Sequence, residues 1–137
     1  MAELADGRAV LELGIGTGRI GLARSQRGLP VAGIDNAPAI LAALCAKPGS
    51  EALHLVCADF VDMLLPGPFG LIYAVASFGD LLIQAEQVRC VVNTARCLAP
   101  DDLLLIQTAV PGAEAFDSGG KMSRCSTCPT QRARAPR

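Results

Sequence analysis

Three glycines at alternate positions, Gly14, Gly16 and Gly18, follow the apolar stretch Val10-Leu-Glu-Leu13. An acidic residue, Asp35, closes the next apolar stretch, Val31-Ala-Gly-Ile34. Alternating glycines allow a ligand to approach bare backbone, where a Cβ would hold it off. The helical pattern of Arg19 to Arg27 starts directly after them, so unpaired N–H groups and a positive dipole end face whatever the loop holds. A carboxylate at the end of the second strand can accept both hydroxyls of a ribose. Strand, tight turn, helix and acidic strand end are the opening of a nucleotide-binding βαβ unit.

Each of these residues also has a plainer reading. The glycines could serve only a tight strand-to-helix turn. Asp35 could be the N-cap of the following helix, and Asp59 the cap of a short turn after the third strand. Arg19 reads better as a solvated first-turn residue than as an anion partner, because cations are not favoured there. Cys125-Ser-Thr-Cys128 has the spacing of half a zinc site, but zinc takes four ligands and no second pair accompanies it. His54, the only histidine, lies in a different element, so no metal site is expected.

The elements that position these residues alternate in type. Ala9 to Leu13 reads as a first strand, and Arg19 to Arg27 as a helix ended by Gly28. Val31 to Ile34 is a second strand; Pro38 opens a second helix whose inner face is Ile40, Leu41 and Leu44. Leu53 to Ala58 is a third strand, Leu64 to Gly70 a connection, and Leu71 to Val75 a fourth strand. Val88, Val91, Val92, Ala95 and Leu98 recur at helical spacing, and Leu103 to Ala109 is a fifth strand. Strands alternating with helices predict an α/β fold, a doubly wound parallel sheet with right-handed crossovers.

Composition sets bounds. A 137-residue chain that is 51% apolar can bury a core, and no apolar run approaches the ~20 residues of a membrane span. Glu3 and Asp6 make the N-terminus unlike a signal peptide, and four cysteines (Cys45, Cys57, Cys90, Cys97) in strand and helix patterns read as small buried residues in a reducing, cytoplasmic setting. Five of the twelve basic residues lie from Lys121 onward, leaving seven against thirteen acidic residues before it, a net of −6. An acidic body gives no support for nucleic-acid binding.

The chain resembles the class I S-adenosylmethionine-dependent methyltransferases. The resemblance rests on Glu12-Leu-Gly14-Ile-Gly16-Thr-Gly18, on Asp35, on Cys57-Ala-Asp59-Phe60 and on Leu98-Ala-Pro100, in the family's order over residues 8 to 110. It implies a Rossmann-like sheet of strand order 3-2-1-4-5 and S-adenosyl-L-methionine as methyl donor to a small-molecule acceptor, at oxygen or nitrogen. By the same resemblance Gly14, Gly16 and Gly18 would lie along the methionyl portion. Glu12 would order the loop and favour the ammonium. Asp35 would take the ribose hydroxyls, with Asn36 beside ribose and adenine; Asp59 would accept from the adenine amino group while Phe60 backs the ring. Ala74 would offer a backbone carbonyl to the ammonium. Asp80, just beyond strand four where substrate meets the methyl, is a conceivable base, though helix capping is preferred; no residue is assigned as catalytic. An NAD-type site ranks second: Gly16-Thr-Gly18-Arg-Ile-Gly21 fits its spacing, but counted from Gly14 the third fingerprint position is Arg19.

Two departures shape the expectation. Gly70 stands where the family often has aspartate, and Asp101-Asp102 where it usually has two glycines. The resemblance also implies a core over residues 1–112, truncated at both ends and lacking the last two strands. Residues 113–137 read as a disordered basic tail, and the composition change near Lys121 fits a shifted reading frame. A non-catalytic binding fragment is therefore an alternative, and an open edge on strand five would invite self-association.

Overall fold

The computed structural model describes residues 5–63 and 65–108. Five strands form one parallel sheet: β1 (Val10–Leu13), β2 (Val31–Asp35), β3 (Leu53–Cys57), β4 (Phe69–Val75) and β5 (Leu98–Gln107), in the order β3-β2-β1-β4-β5. The helices are α1 (Gly21–Ser25), α2 (Pro38–Cys45) and α3 (Gln84–Arg96), with 3₁₀ turns at Ser50–Ala52 and Phe78–Asp80. This is the expected α/β class and strand order.

Strands β1 and β4 are buried on both faces, as central parallel strands must be. Leu11 and Leu13 of β1 pack with Ile72 and Ala74 of β4, Ile34 of β2, and Cys90 and Cys97 on the α3 side. Val10 points the other way and packs with Val31, Leu71 and Tyr73, where Ile20 and Leu29 cover it. Alternation along the strand puts Glu12 on this second face, opposite Tyr73 in the β1–β4 register.

Four expectations need correction. Helix α1 is five residues long, not nine: the glycine turn delays its start, and after Ser25 the chain turns to Gly28 at φ 84°. The valine stripe of α3 faces outward, with Val88, Val91 and Val92 exposed, while Cys90, Asn93, Thr94 and Cys97 face the sheet. Asn93 and Cys97 can occupy that inner face because their groups are satisfied: Asn93 Nδ2 donates to Val61 O at 2.8 Å, and the Cys97 thiol donates to backbone oxygens, whereas the buried Thr94 Oγ1 finds no hydrogen-bond partner among the described residues.

Strand β5 begins at Leu98, five residues early, because Leu98 pairs with Phe69 across an irregularity in the ladder. Asp101 takes the left-handed conformation at φ 70°, and Asp102 accepts both guanidinium nitrogens of Arg8, so the aspartates perform the turn expected of glycines. Finally, Cys45 and Cys57 are exposed rather than buried. The tail, with Cys125 and Cys128, lies outside the described residues.

Candidate functional site

The chain leaves β1 through Gly14, Gly16 and Gly18 at φ 71°, 57° and 77°, a conformation that side chains with a Cβ disfavour. The three glycines differ in what a Cβ would meet. At Gly14 it would come within 2.5 Å of Ser77 Cβ, and at Gly18 within 2.3 Å of Leu44 Cδ1. At Gly16 it would enter open space. Packing against Ser77 therefore demands glycine at 14, the left-handed backbone and the Leu44 side-chain end favour it at 18, and Gly16 is the position where backbone faces a ligand-sized opening.

Asp35 ties this loop to β2. Its Oδ2 accepts the Gly16 N–H at 2.9 Å and its Oδ1 accepts the Ala37 N–H at 3.0 Å. It is not the N-cap of α2, whose cap residue is Ala37. Lys47 Nζ holds the far side of the loop through Thr17 O at 2.7 Å. From β4, the Ser77 hydroxyl donates to Leu13 O, so the strand end and the loop are joined at Gly14. The expectation for Asp59 as a cap has a counterpart: its Oδ1 accepts the Val61 N–H at 2.8 Å and shapes the turn that carries Phe60.

Two clefts open over the carboxyl ends of the strands, the usual place for ligands in such sheets. The larger, about 520 Å³, is walled by Asp35 and Asn36 after β2, Asp59 and Phe60 after β3, and Ser77 and Asp80 after β4. The smaller, about 360 Å³, is lined by Glu12, Gly16, Thr17 and Arg19. The two share Gly14 and Val75, so they are lobes of one groove. Gly18 and Ala74 alone of the nine expected binding residues line neither lobe. Gly18 packs under the loop, and Ala74 is buried in the ladder one residue before Val75.

Ile40, expected in the core, lines the larger lobe instead, 40% exposed. Ser77 and Ala76 were not singled out from the sequence. A serine two residues past a strand carries no signal, and nothing announces that Ala76 takes φ 60°. Asp80 lies in the larger lobe; the N-cap of α3 is Ile83, with no side-chain cap hydrogen bond, so capping of α3 does not account for Asp80.

Charge in the smaller lobe is unusual. Glu12 is 4% exposed, and burial pushes its carboxyl up to about 7. The Tyr73 hydroxyl donating to Oε2 at 3.1 Å, the Gly21 N–H and the charge of Arg19 act the other way. Burial, and then the Glu12 charge beside it, hold the Tyr73 hydroxyl in its neutral form. Among the described residues, no group of three or more His, Cys, Asp or Glu is arranged to hold a metal ion.

Sheet order, glycine loop and acidic strand end define a Rossmann-like nucleoside-cofactor protein. A family model described as "Methyltransferase domain" matches residues 10–101, and the chain belongs to that family, the class I S-adenosylmethionine-dependent methyltransferases. Among solved structures, it is similar to the CcbJ methyltransferase of Streptomyces caelestis, 29% identical over 77% of this chain and 44% of that one, TM-score 0.72. It is similar to a TehB-like S-adenosylmethionine-dependent methyltransferase of Corynebacterium glutamicum, 27% identical over 77% and 59%, TM-score 0.66. A third is CalS10, an amino pentose methyltransferase of Micromonospora echinaspora in its S-adenosylmethionine-bound form, 28% identical over 73% and 42%, TM-score 0.65. The chain thus spans 42–59% of the length of these proteins. No curated protein sequence matches it.

Proposed function

We propose that this chain forms the cofactor-binding half of a methyltransferase that moves a methyl group from S-adenosyl-L-methionine to a small-molecule acceptor at oxygen or nitrogen. The observation that carries the reading is the two-lobed groove joined at Gly14 and Val75. One lobe offers what a nucleoside needs: the Asp35 carboxylate for ribose hydroxyls, Asn36 beside it, Asp59 for an adenine amino group and Phe60 for the ring face. The other offers what an amino-acid end needs: bare backbone at Gly16, an acidic side chain in Glu12 for an ammonium, and Arg19 near a carboxylate. The residues present fit the cofactor, and the open space above Gly16 is the cradle a Cβ would fill. Val75, the β4 residue that follows Ala74, lines both lobes.

When bound, the cofactor supplies an electrophilic methyl on a sulfonium, and the protein's contribution is to hold the acceptor aligned with it. Asp80 lines the lobe beyond β4 and is the carboxylate there that could accept a proton from an acceptor hydroxyl or ammonium. The similarity to an amino pentose methyltransferase supports a small, polar acceptor. A second reading is cofactor binding without turnover. The exposed edge-strand residues Leu103 and Ile106 support self-association through β5. Among the described residues, no helix is long and apolar enough to cross a membrane, and with four free thiols this supports a cytoplasmic setting.

Calorimetric titration with S-adenosylhomocysteine tests the reading, with NAD(H) and Asp35→Ala as controls. Binding by the homocysteine product alone, lost in the variant, is expected. A folded chain that binds NAD(H) or neither ligand overturns it.

A further inference from the structure

We propose that Tyr73 is a positioning residue for cofactor capture, its hydroxyl fixing the Glu12 carboxylate in the smaller lobe so that binding expels a proton from Glu12. The inference rests on the methyltransferase reading above and concerns a residue that the sequence motif does not include.

The geometry is specific. Glu12 and Tyr73 are register partners across β1 and β4, both on the α1 face of the sheet. Tyr73 is 1% exposed, and its hydroxyl donates to Glu12 Oε2. The backbone of α1 closes on the same carboxyl group: a Cβ on Gly21 would lie 2.7 Å from Oε2. The carboxyl is therefore held between strand and helix, and it lines the lobe rather than pairing fully inside the protein. A core hydrogen-bond pair with no ligand to meet would have no reason to border an opening.

The charged groups facing Glu12 are few. The glycine loop contributes Arg19, β4 contributes Tyr73, and α1 contributes Arg24, whose charge acts on Tyr73. Strand β2 sets Gly33 opposite Glu12, and its titratable side chain, Asp35, is engaged by the Gly16 and Ala37 amides. With burial holding the carboxyl near neutrality, a fraction of the molecules carry the proton at pH 7. A ligand ammonium entering the lobe favours the ionised form, and the proton leaves to solvent. Tyr73 sets the balance because its O–H favours the carboxylate.

S-adenosylhomocysteine binding, measured by calorimetry from pH 6 to 8.5 in buffers of different ionisation enthalpy, tests this. The wild-type chain is expected to release part of a proton near pH 7 and to bind more tightly as pH rises. Glu12→Gln reports any proton the ligand itself exchanges, and the excess in wild type is the Glu12 contribution. Tyr73→Phe removes the donor and moves the profile up by about one pH unit, giving about fivefold weaker binding at pH 7 and nearly wild-type binding at pH 8.5. A uniform loss at every pH in Tyr73→Phe, or proton release equal in wild type and Glu12→Gln, overturns the proposal. The wild-type and Glu12→Gln comparison decides it even if the phenylalanine variant does not fold. Wild type that fails to bind at any pH sinks the parent reading too, whereas binding without the excess proton sinks this one alone.

Discussion

The Gly16 amide donates to Asp35 Oδ2 at 2.9 Å, so the acidic end of β2 and the ligand-facing turn after β1 are one unit. The carboxylate that a ribose would use already anchors the backbone that the methionyl end would use. Its second oxygen is engaged by Ala37 N–H, and a carboxylate has lone pairs left for further donors. Asp35 is thus a fold residue, and under the proposed function a ribose-binding residue as well. Asp35→Ala should cost about 1–3 kcal/mol of stability by leaving two amides without their acceptor, besides abolishing cofactor binding. Asp35→Asn keeps one acceptor oxygen and should lose less stability. Denaturant titration of the two variants beside wild type checks the ranking.

The glycines should separate packing from binding. Gly16→Ala meets open space, so its cost is the strain of a left-handed alanine, about 1 kcal/mol. Gly14→Ala carries the same strain plus a collision with Ser77 Cβ at the β1–β4 junction, and should be destabilised by several times as much. Chemical denaturation paired with S-adenosylhomocysteine titration checks this: Gly16→Ala folded but impaired in binding, Gly14→Ala impaired in both.

What the sequence showed and what it hid follow from the kind of information each feature needs. Strands β1 to β3 are legible to within a residue because continuous apolar runs end in glycine, proline or aspartate. The nine expected site residues lie on four strand ends, and seven of them meet in the groove. The orientation of α3 was hidden. Periodicity says that Val88, Val91 and Val92 share a face, but not that the opposite face finds partners in Val61 O and Leu65 O. Ile40 departs from the pattern for a related reason: helical spacing groups it with Leu41 and Leu44, yet the first turn of α2 stands at the cleft rim. The early start of β5 depends on Leu98 pairing with Phe69, a strand partner twenty-nine residues earlier that no local pattern announces.

Asp101 offers a stabilising change. It holds φ 70° inside a strand, a conformation that costs a residue with a Cβ about 1 kcal/mol relative to glycine. Asp101→Gly should raise the melting temperature by a few degrees, net of the extra freedom glycine has when unfolded. Asp102→Ala should do the reverse, since it removes the acceptor of Arg8 and of the Ala99 N–H. Differential scanning calorimetry of both variants checks the opposite signs.

Stability should also depend on pH through Glu12. Burial raises its carboxyl to about 7, so between its ordinary value of 4.5 and 7 the folded chain holds a proton that the unfolded chain has lost. Stability is fully present below that window and falls as pH rises through it, by an amount on the order of 3 kcal/mol. Asp102 acts in the other direction at lower pH: the Arg8 hydrogen bond lowers its carboxyl, so its contribution is lost only on acidification. Urea midpoints at pH 5, 6, 7 and 8 should decline for wild type, and the slope should flatten in Glu12→Gln.

The edge of the sheet carries the last prediction. Among the described residues β5 pairs with β4 alone, and Leu103 and Ile106 are 44% and 38% exposed on it. Val88, Val91 and Val92 of α3 add a second exposed apolar strip. An apolar edge strand with unpaired backbone groups is a template for pairing with another chain, and a charge on it opposes that pairing. Leu103→Lys should therefore lower the weight-average mass of the protein at high concentration in sedimentation experiments, while leaving S-adenosylhomocysteine binding at the opposite end of the strands unchanged. Identical mass for variant and wild type across the concentration range would place any association elsewhere, with the α3 valines the next surface to charge.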